Sequence, residues 1–356
     1  MPLIVPLSLH LPTASLLENE QYDSIQGTKD YVDLLKPKTS LPHIKKGFQR
    51  LLREKVYQTL EKQHFYWYRI QNKEAVFSGF LCGLDAKSIR PDKISTHEAV
   101  LQKRVKLFSN YLKKTHLQAE PLLLIHEDNA FATACNNTIT QKPPSFHFQL
   151  NQSIHEIWIL SAQVQQALVE FAKKTTPFHL ADGHHRLASS LQLAKDAKTP
   201  FPIQAFVLAK DQIVTGSFIW CIKKYLTQEK LVPLLHHLHT PTTEVSSNTL
   251  KIVMGNEHFN CCLDASENPA VFAFEKLLGF STQKAIDLRN YIDYFPYTTS
   301  IPEDFMKKAA PYLLKIQLPP FSEEAVIASV KKNQKLPPKS SYMLPKIPTG
   351  LLISPI

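Results

Sequence analysis

Glycine is scarce in this chain: 9 residues in 356, against 25 prolines, where about 7% glycine is usual. Folds that cradle a nucleotide in a glycine-rich loop need several glycines close together. Neither G-x-G-x-x-G nor G-x-x-x-x-G-K-[ST] occurs, which argues against Rossmann and P-loop architectures. Cysteine is sparse too. Five residues, at 82, 135, 221, 261 and 262, include no C-x-x-C. An odd count at irregular spacing points away from a disulfide framework and towards a reducing, cytoplasmic setting. No apolar run approaches the roughly 18 residues of a membrane span. The opening MPLIVPLSLHLPTASLL is apolar but has no basic region ahead of it and carries three prolines, so no signal peptide is read there. There is no G-x-S-x-G elbow and no Cys-His-Asn series.

What is present suits a folded protein of one large domain or two ordinary ones: 44% apolar, 20% charged. The net charge of +10 favours anionic ligands, nucleotides among them. Lysines come in scattered pairs rather than a stripe with aromatics, and no recognition helix is evident, so direct nucleic-acid binding is not expected.

Periodicity predicts a helix over 45–63, a hairpin over 65–84, and a helix capped at Ser95 or Thr96. It predicts a doubly buried strand over 121–128, a strand over 155–160, and a helix over 162–174. Two further strands follow over 202–209 and 211–222. Beyond about residue 225 the signals weaken, with short helices near 230–240 and 271–280. The tail LPPKSSYMLPKIPTGLLISPI reads as extended chain packed on the surface.

The most loaded stretch is FHLADGHHRLASSLQLAK, residues 178–195. It reads as strand, Asp-Gly turn, helix. That geometry aims the first N–H groups of the helix at one spot of partial positive charge, which favours an anion. Arg186 adds a planar fork suited to phosphate. His184 and His185 can donate as well. Gly183 permits close backbone approach or positive φ. Asp182 is awkward beside a phosphate, unless it caps the helix, orients a His or Arg, binds a metal or acts as a base. Ser189 lies within one turn of Arg186 and can share the site. His97-Glu98 near a helix start offers a general base or metal ligand, or simply suits the helix dipole. His236, His237 and His239 do not make a convincing zinc site, and no structural metal is predicted.

ADGHHR resembles the signature of the uncharacterised family known as domain of unknown function 1015. Other segments agree in order. QYDSI resembles the family's early P-Y-D-V, STHEAVLQKR its K-H-E-x-T and AEPLLLIHED its E-P-V. HEIWIL resembles its H-x-x-W strand, and LPPKSSYMLPKIPTGLLI its P-P-K-[ST]-T-x-F-x-P-K-x-x-x-G-L ending. The D-G-H-H-R motif is in turn similar to that of ParB and sulfiredoxin-like folds, whose relatives include nucleotide-dependent free-serine kinases. The resemblance implies phosphate binding by Gly183, His184, His185 and Arg186, and an acidic catalytic role for Asp182. It adds His97, Glu98 and Asp23 as site candidates. The chain departs from the family where Ile219 and Trp220 replace polar residues, where YIDYFPYTTS has no glycine, and at Val100 in place of Thr.

The expected fold is α+β, with a ParB/sulfiredoxin-like mixed core over 65–225. An N-terminal segment and helix fill 1–64, and a C-terminal α/β extension with the Pro-rich tail fills 226–356. The expected activity is nucleotide-dependent phosphoryl transfer to a small hydroxy compound of the free serine or phosphoserine type. The catalytic candidates are Asp182, Glu98 and His184, with ATP or ADP and Mg2+ as cofactors. The alternative is a catalytically impaired protein that senses a nucleotide or phosphometabolite.

Overall fold

The computed structural model describes residues 2–356 except 14–40, 74, 99, 151, 176, 197–200, 224–227, 241–247, 265–266, 283–287, 289–290, 299–300, 302–304, 321–335, 338 and 341. The candidate at Asp23 therefore lies outside the described residues. The chain divides into two compact units. The first comprises Met1–Thr96, Gln102–Ile213 and Pro345–Ile356; the second comprises His97–Leu101 and Val214–Leu344. Each is a mixture of helix and strand, so the α+β class holds.

In chain order the first unit carries β1 (Ile4–Val5), β2 (His10–Pro12), α1 (Leu41–Arg53), β3 (Tyr57–Thr59), β4 (Tyr66–Gln71), β5 (Val76–Asp85), β6 (Ile94–Ser95) and α2 (Gln102–Thr115). Then come β7 (Leu117–Gln118), β8 (Leu122–His126), α3 (Asn129–Ile139), β9 (Phe146–Leu150), β10 (Ser153–Ile159), α4 (Ala162–Lys174), β11 (Phe178–Asp182), α5 (His184–Asp196) and β12 (Pro202–Ala209). The second unit follows with β13 (Val214–Ile222), α6 (Gln228–Leu238), β14 (Thr249–Met254), β15 (Glu257–Cys262), α7 (Pro269–Phe272), β16 (Ile292–Tyr297), α8 (Phe305–Ala309), β17 (Leu314–Gln317) and β18 (Tyr342–Leu344). The last strand, β19 (Ser354–Pro355), returns to the first unit.

A mixed sheet organises the first unit, in the order β6-β11-β8-β12-β5-β4-β10-β9, with β1 also on β5. β11 runs parallel to β6 and antiparallel to β8, and β8 runs parallel to β12. Every residue of β8 is buried, as its unbroken apolar run demands. Tyr66, Trp67, Tyr68, Phe80, Phe178 and Phe206 are almost wholly buried along this sheet. Helix α4 starts where its sequence says it should, with the Ser161 hydroxyl accepting from the Val164 N–H.

Three expectations are corrected. The helix predicted over 45–63 ends at Arg53; Lys55 takes φ 57°, and Tyr57–Thr59 turns into a strand on β2. Ser95 caps no helix. It belongs to β6, opposite His179, and its hydroxyl lies 2.7 Å from His179 Nδ1. The end of the tail is not packed on the surface: Leu351, Leu352 and Ile353 are 0% exposed. Ile353 exchanges backbone hydrogen bonds with His10, and β19 pairs with β7.

The second unit is built on a sheet in the order β15-β14-β17-β13-β16, with β18 also on β13. Strand β13 is buried on both faces. Phe218, Trp220 and Ile222 join one apolar cluster with Leu235, Ile252, Phe274 and Ile316; Ile219 and Cys221 join another with Tyr297 and Phe305. Among the described residues, no helix is long and apolar enough to cross a membrane.

Candidate functional site

The ADGHHR stretch folds as its sequence suggests. Phe178, His179, Leu180 and Ala181 are buried in β11. The register against β8 slips by one residue after Leu180: Leu180 faces Leu124 and Asp182 faces Leu123. The extra residue, Ala181, is a bulge, a device that re-aims the following side chain. Gly183 then takes φ 101°. Its carbonyl accepts the first helical bond, from Leu187 N–H at 2.8 Å, so the N-cap of α5 is Gly183 and not Asp182. The Asp182 side chain instead accepts from the Gly183 N–H at 2.9 Å.

Gly183 is required twice over. Its φ is one that side-chain-bearing residues rarely adopt. A Cβ there would also lie 2.8 Å from Leu122 Cδ2, 2.9 Å from Arg186 Nε and 3.1 Å from Arg186 Nη2. The guanidinium thus packs on the bare glycine. Its Nη1 donates to the Glu120 carboxylate and its Nη2 lies 3.4 Å from Asp182 Oδ2. Its Nε is buried with no hydrogen-bond partner. Burial pulls the guanidinium pKa down to about 10, which leaves it charged at neutral pH.

Two more groups arrive from the tail, within the same unit. Lys346 Nζ donates to Asp182 Oδ2 at 2.8 Å, and the Thr349 hydroxyl donates to Glu120. The tail is held there by its backbone: Gly350 N–H donates to the Ala119 carbonyl at 2.9 Å, and the Tyr57 hydroxyl donates to the Gly350 carbonyl at 2.7 Å. The outcome is a compact cluster of two carboxylates and two cations, a quarter to two-fifths exposed, at the N-terminal end of α5. Its formal charges cancel. It can present charge-assisted donors to an anion and a carboxylate to a proton.

The residues expected at the site fare differently. Asp182, Gly183 and Arg186 come together where α5 begins. His184 is buried and His185 half-buried, both in the first turn of α5. Ser189 is not at the site: it is 0% exposed, and its hydroxyl is directed to the carbonyls of His185 at 2.6 Å and Val105 at 3.1 Å. One helical turn brought Ser189 near Arg186 in sequence, but back-bonding into its own helix takes up the hydroxyl. His97 and Glu98 belong to the second unit. There the His97 carbonyl accepts from Leu336 N–H at 3.0 Å, and Glu98 bridges to Leu336. Ile219 and Trp220 are core residues of that unit, and the indole N–H of Trp220 donates to the Lys339 carbonyl at 2.9 Å. Three site residues were not singled out from the sequence: Glu120, Lys346 and Thr349. The only signal for them was that AEPLLL and LPKIPTG match family segments.

Comparison with solved structures finds distant likenesses. SbnI with a C-terminal truncation, from Staphylococcus aureus, is 12% identical with a TM-score of 0.45, over 74% of this chain and 82% of that one. A free serine kinase in complex with AMP is 16% identical with a TM-score of 0.42, over 79% and 95%. A conserved hypothetical protein from Pyrococcus furiosus is 15% identical with a TM-score of 0.41, over 80% and 96%. Likenesses this remote carry no inference about the ligand. No curated protein matches the chain. The profile of one family matches residues 15–208, more than half of the chain, a span that holds Glu120 and the whole of ADGHHR. The chain belongs to that family, the one described as Protein of unknown function (DUF1015).

Proposed function

We propose that the first unit is a ParB/sulfiredoxin-like phosphate-binding domain. In this reading it transfers a phosphoryl group from a nucleotide to a small hydroxy compound of the free serine type. The observation that carries the reading is the placement of Arg186: its guanidinium lies against Gly183, beside Asp182, where helix α5 begins. Main-chain N–H groups of the first turn and the Arg186 fork hold the phosphate. Asp182 accepts the proton of the attacking hydroxyl, and His184 or His185 stabilises charge on the transferring group. A divalent ion would enter with the nucleotide as the counter-ion of its phosphates, and Asp182 and Glu120 would be oxygen ligands of the right class to hold it.

A second reading is a binding protein without turnover. It is favoured by the burial of Ile219 and Trp220 in hydrophobic clusters, where the family carries polar residues. Both readings are tested by calorimetric titration of ATP, ADP and CTP with Mg2+ into wild type and Arg186→Ala. Binding that depends on Arg186 supports the site, and an assay of phosphate transfer to serine then separates the two. If none of the three nucleotides binds wild type, the phosphotransferase reading is wrong, and of the second only a sensor of a phosphometabolite is left.

A further inference from the structure

The tail's place at the site calls for a reason. Lys346 and Asp182 are each about two-fifths exposed, at 42% and 40%, and exposed pairs of this kind contribute little to stability. Yet Lys346 is carried there on a segment whose continuation is fully buried, with Gly350 tied to Ala119 and Tyr57. Arg186 Nη2 and Lys346 Nζ also converge on one and the same atom, Asp182 Oδ2, at 3.4 and 2.8 Å. Two cations focused on one oxygen describe where an anionic oxygen is wanted. The buried Nε of Arg186, without a hydrogen-bond partner, is a further donor on the side of the guanidinium next to Gly183.

We infer that Lys346 is a ligand-binding residue, and that Arg186 and Lys346 form a two-cation cradle for the terminal, dianionic phosphate of the ligand. This rests on the phosphate-binding reading above and extends it to the tail. In the structure as described, Asp182 Oδ2 holds the position that a phosphate oxygen takes on binding. Ligand entry exchanges the carboxylate for phosphate as the partner of both cations, and so releases Asp182 towards the hydroxyl it is to deprotonate. Thr349, donating to Glu120, positions the carboxylate that holds the other edge of Arg186. The ligand class follows from the charges. A terminal phosphate offers several free anionic oxygens, enough to meet Arg186 Nη2 and Lys346 Nζ together while Glu120 stays on Arg186; a diester phosphate carries a single negative charge.

The test is calorimetric titration of ATP, ADP, inorganic pyrophosphate and adenosine into wild type, Lys346→Met, Lys346→Arg and Arg186→Ala, with thermal unfolding of each variant. The expected result for Lys346→Met is affinity for ATP, ADP and pyrophosphate weakened about tenfold or more, the loss of one charge-assisted contact. Adenosine binding and the melting temperature stay as in wild type, and Lys346→Arg restores most of the phosphate affinity. If Lys346→Met binds the three phosphate ligands as wild type does, while Arg186→Ala does not, the site stands and the role of Lys346 is refuted. Equal weakening for adenosine and ATP also refutes it, since a merely structural lysine would act that way. If wild type binds none of the phosphate ligands, the phosphate reading itself falls and the inference with it.

Discussion

Replacing Gly183 by alanine probes the geometry of the site most directly. The backbone there has φ 101°, and holding a non-glycine residue in such a region costs about 1–3 kcal/mol. The new methyl would also press on Leu122 Cδ2 at 2.8 Å and on Arg186 Nε at 2.9 Å. Leu122 is only 1% exposed, and Arg186 is fixed by Glu120 and Asp182, so neither yields readily; overpacking of this kind costs roughly 1–3 kcal/mol more. The expected total is about 2–6 kcal/mol. It is read as a fall in the urea midpoint of the first unit at constant slope. Gly255→Ala is the control for φ alone. It has φ 62° with nothing within 4 Å of an added Cβ, so about 1 kcal/mol is expected there. The two effects of Gly183→Ala should also travel together: relief of the clash moves the guanidinium, so phosphate-ligand affinity falls with stability. A Gly183→Ala protein within about 0.5 kcal/mol of wild type would refute the reasoning. So would one that loses stability yet binds its ligand unchanged.

Four further outcomes follow from particular contacts. Glu120→Gln keeps the shape but removes the charge facing Arg186 and Thr349; a loss of about 1–2 kcal/mol by denaturant titration is expected for this half-exposed group. Tyr57→Phe removes one hydroxyl bond to Gly350 and should cost about 1 kcal/mol, measured the same way. His126 and His155 are held neutral by burial, each with its pKa pushed down to about 4 from 6.5. Their stability contribution is full above pH 6.5 and is lost as pH falls towards 4, because the unfolded chain takes up the proton first. Each should therefore subtract about 2 kcal/mol between pH 7 and pH 5, and His126→Phe should flatten that part of the stability profile. Trp220→Ala should cost about 3–5 kcal/mol in the second unit, seen as early loss of its part of a thermal transition.

Much of the first unit is legible because local physics agrees with the final packing. The 65–84 hairpin, the buried 121–128 strand and the 162–174 helix each signal themselves within a few residues. The strand–glycine–helix form of ADGHHR does so as well. What failed was decided at a distance. The helical period through Val56 and Leu60 is overridden by the pairing of Tyr57–Thr59 with His10–Pro12. Ser95 reads as a cap until His179, 84 residues later, claims its hydroxyl. The site itself was half visible. Its helix start could be read from one peptide, but Glu120 lies 66 residues before Arg186, and Lys346 lies 164 after Asp182. No periodicity connects such positions; only the pairing of β11 with β8 and the return of the tail do.

The return of residues 345–356 to the first unit sets an order of events during synthesis. The larger part of the second unit, Val214–Leu344, is inserted in the sequence of the first, between Ile213 and Pro345. Until the tail has left the ribosome, the tail-side partners of Ala119, His10 and Leu117 do not exist, nor does Lys346. The second unit can therefore gather its own core co-translationally while the first, although begun earlier, waits for contacts of very long sequence separation. A nonsense codon at Pro345 would then spare every residue of the second unit and strip the first, although translated earlier, of its tail and of Lys346.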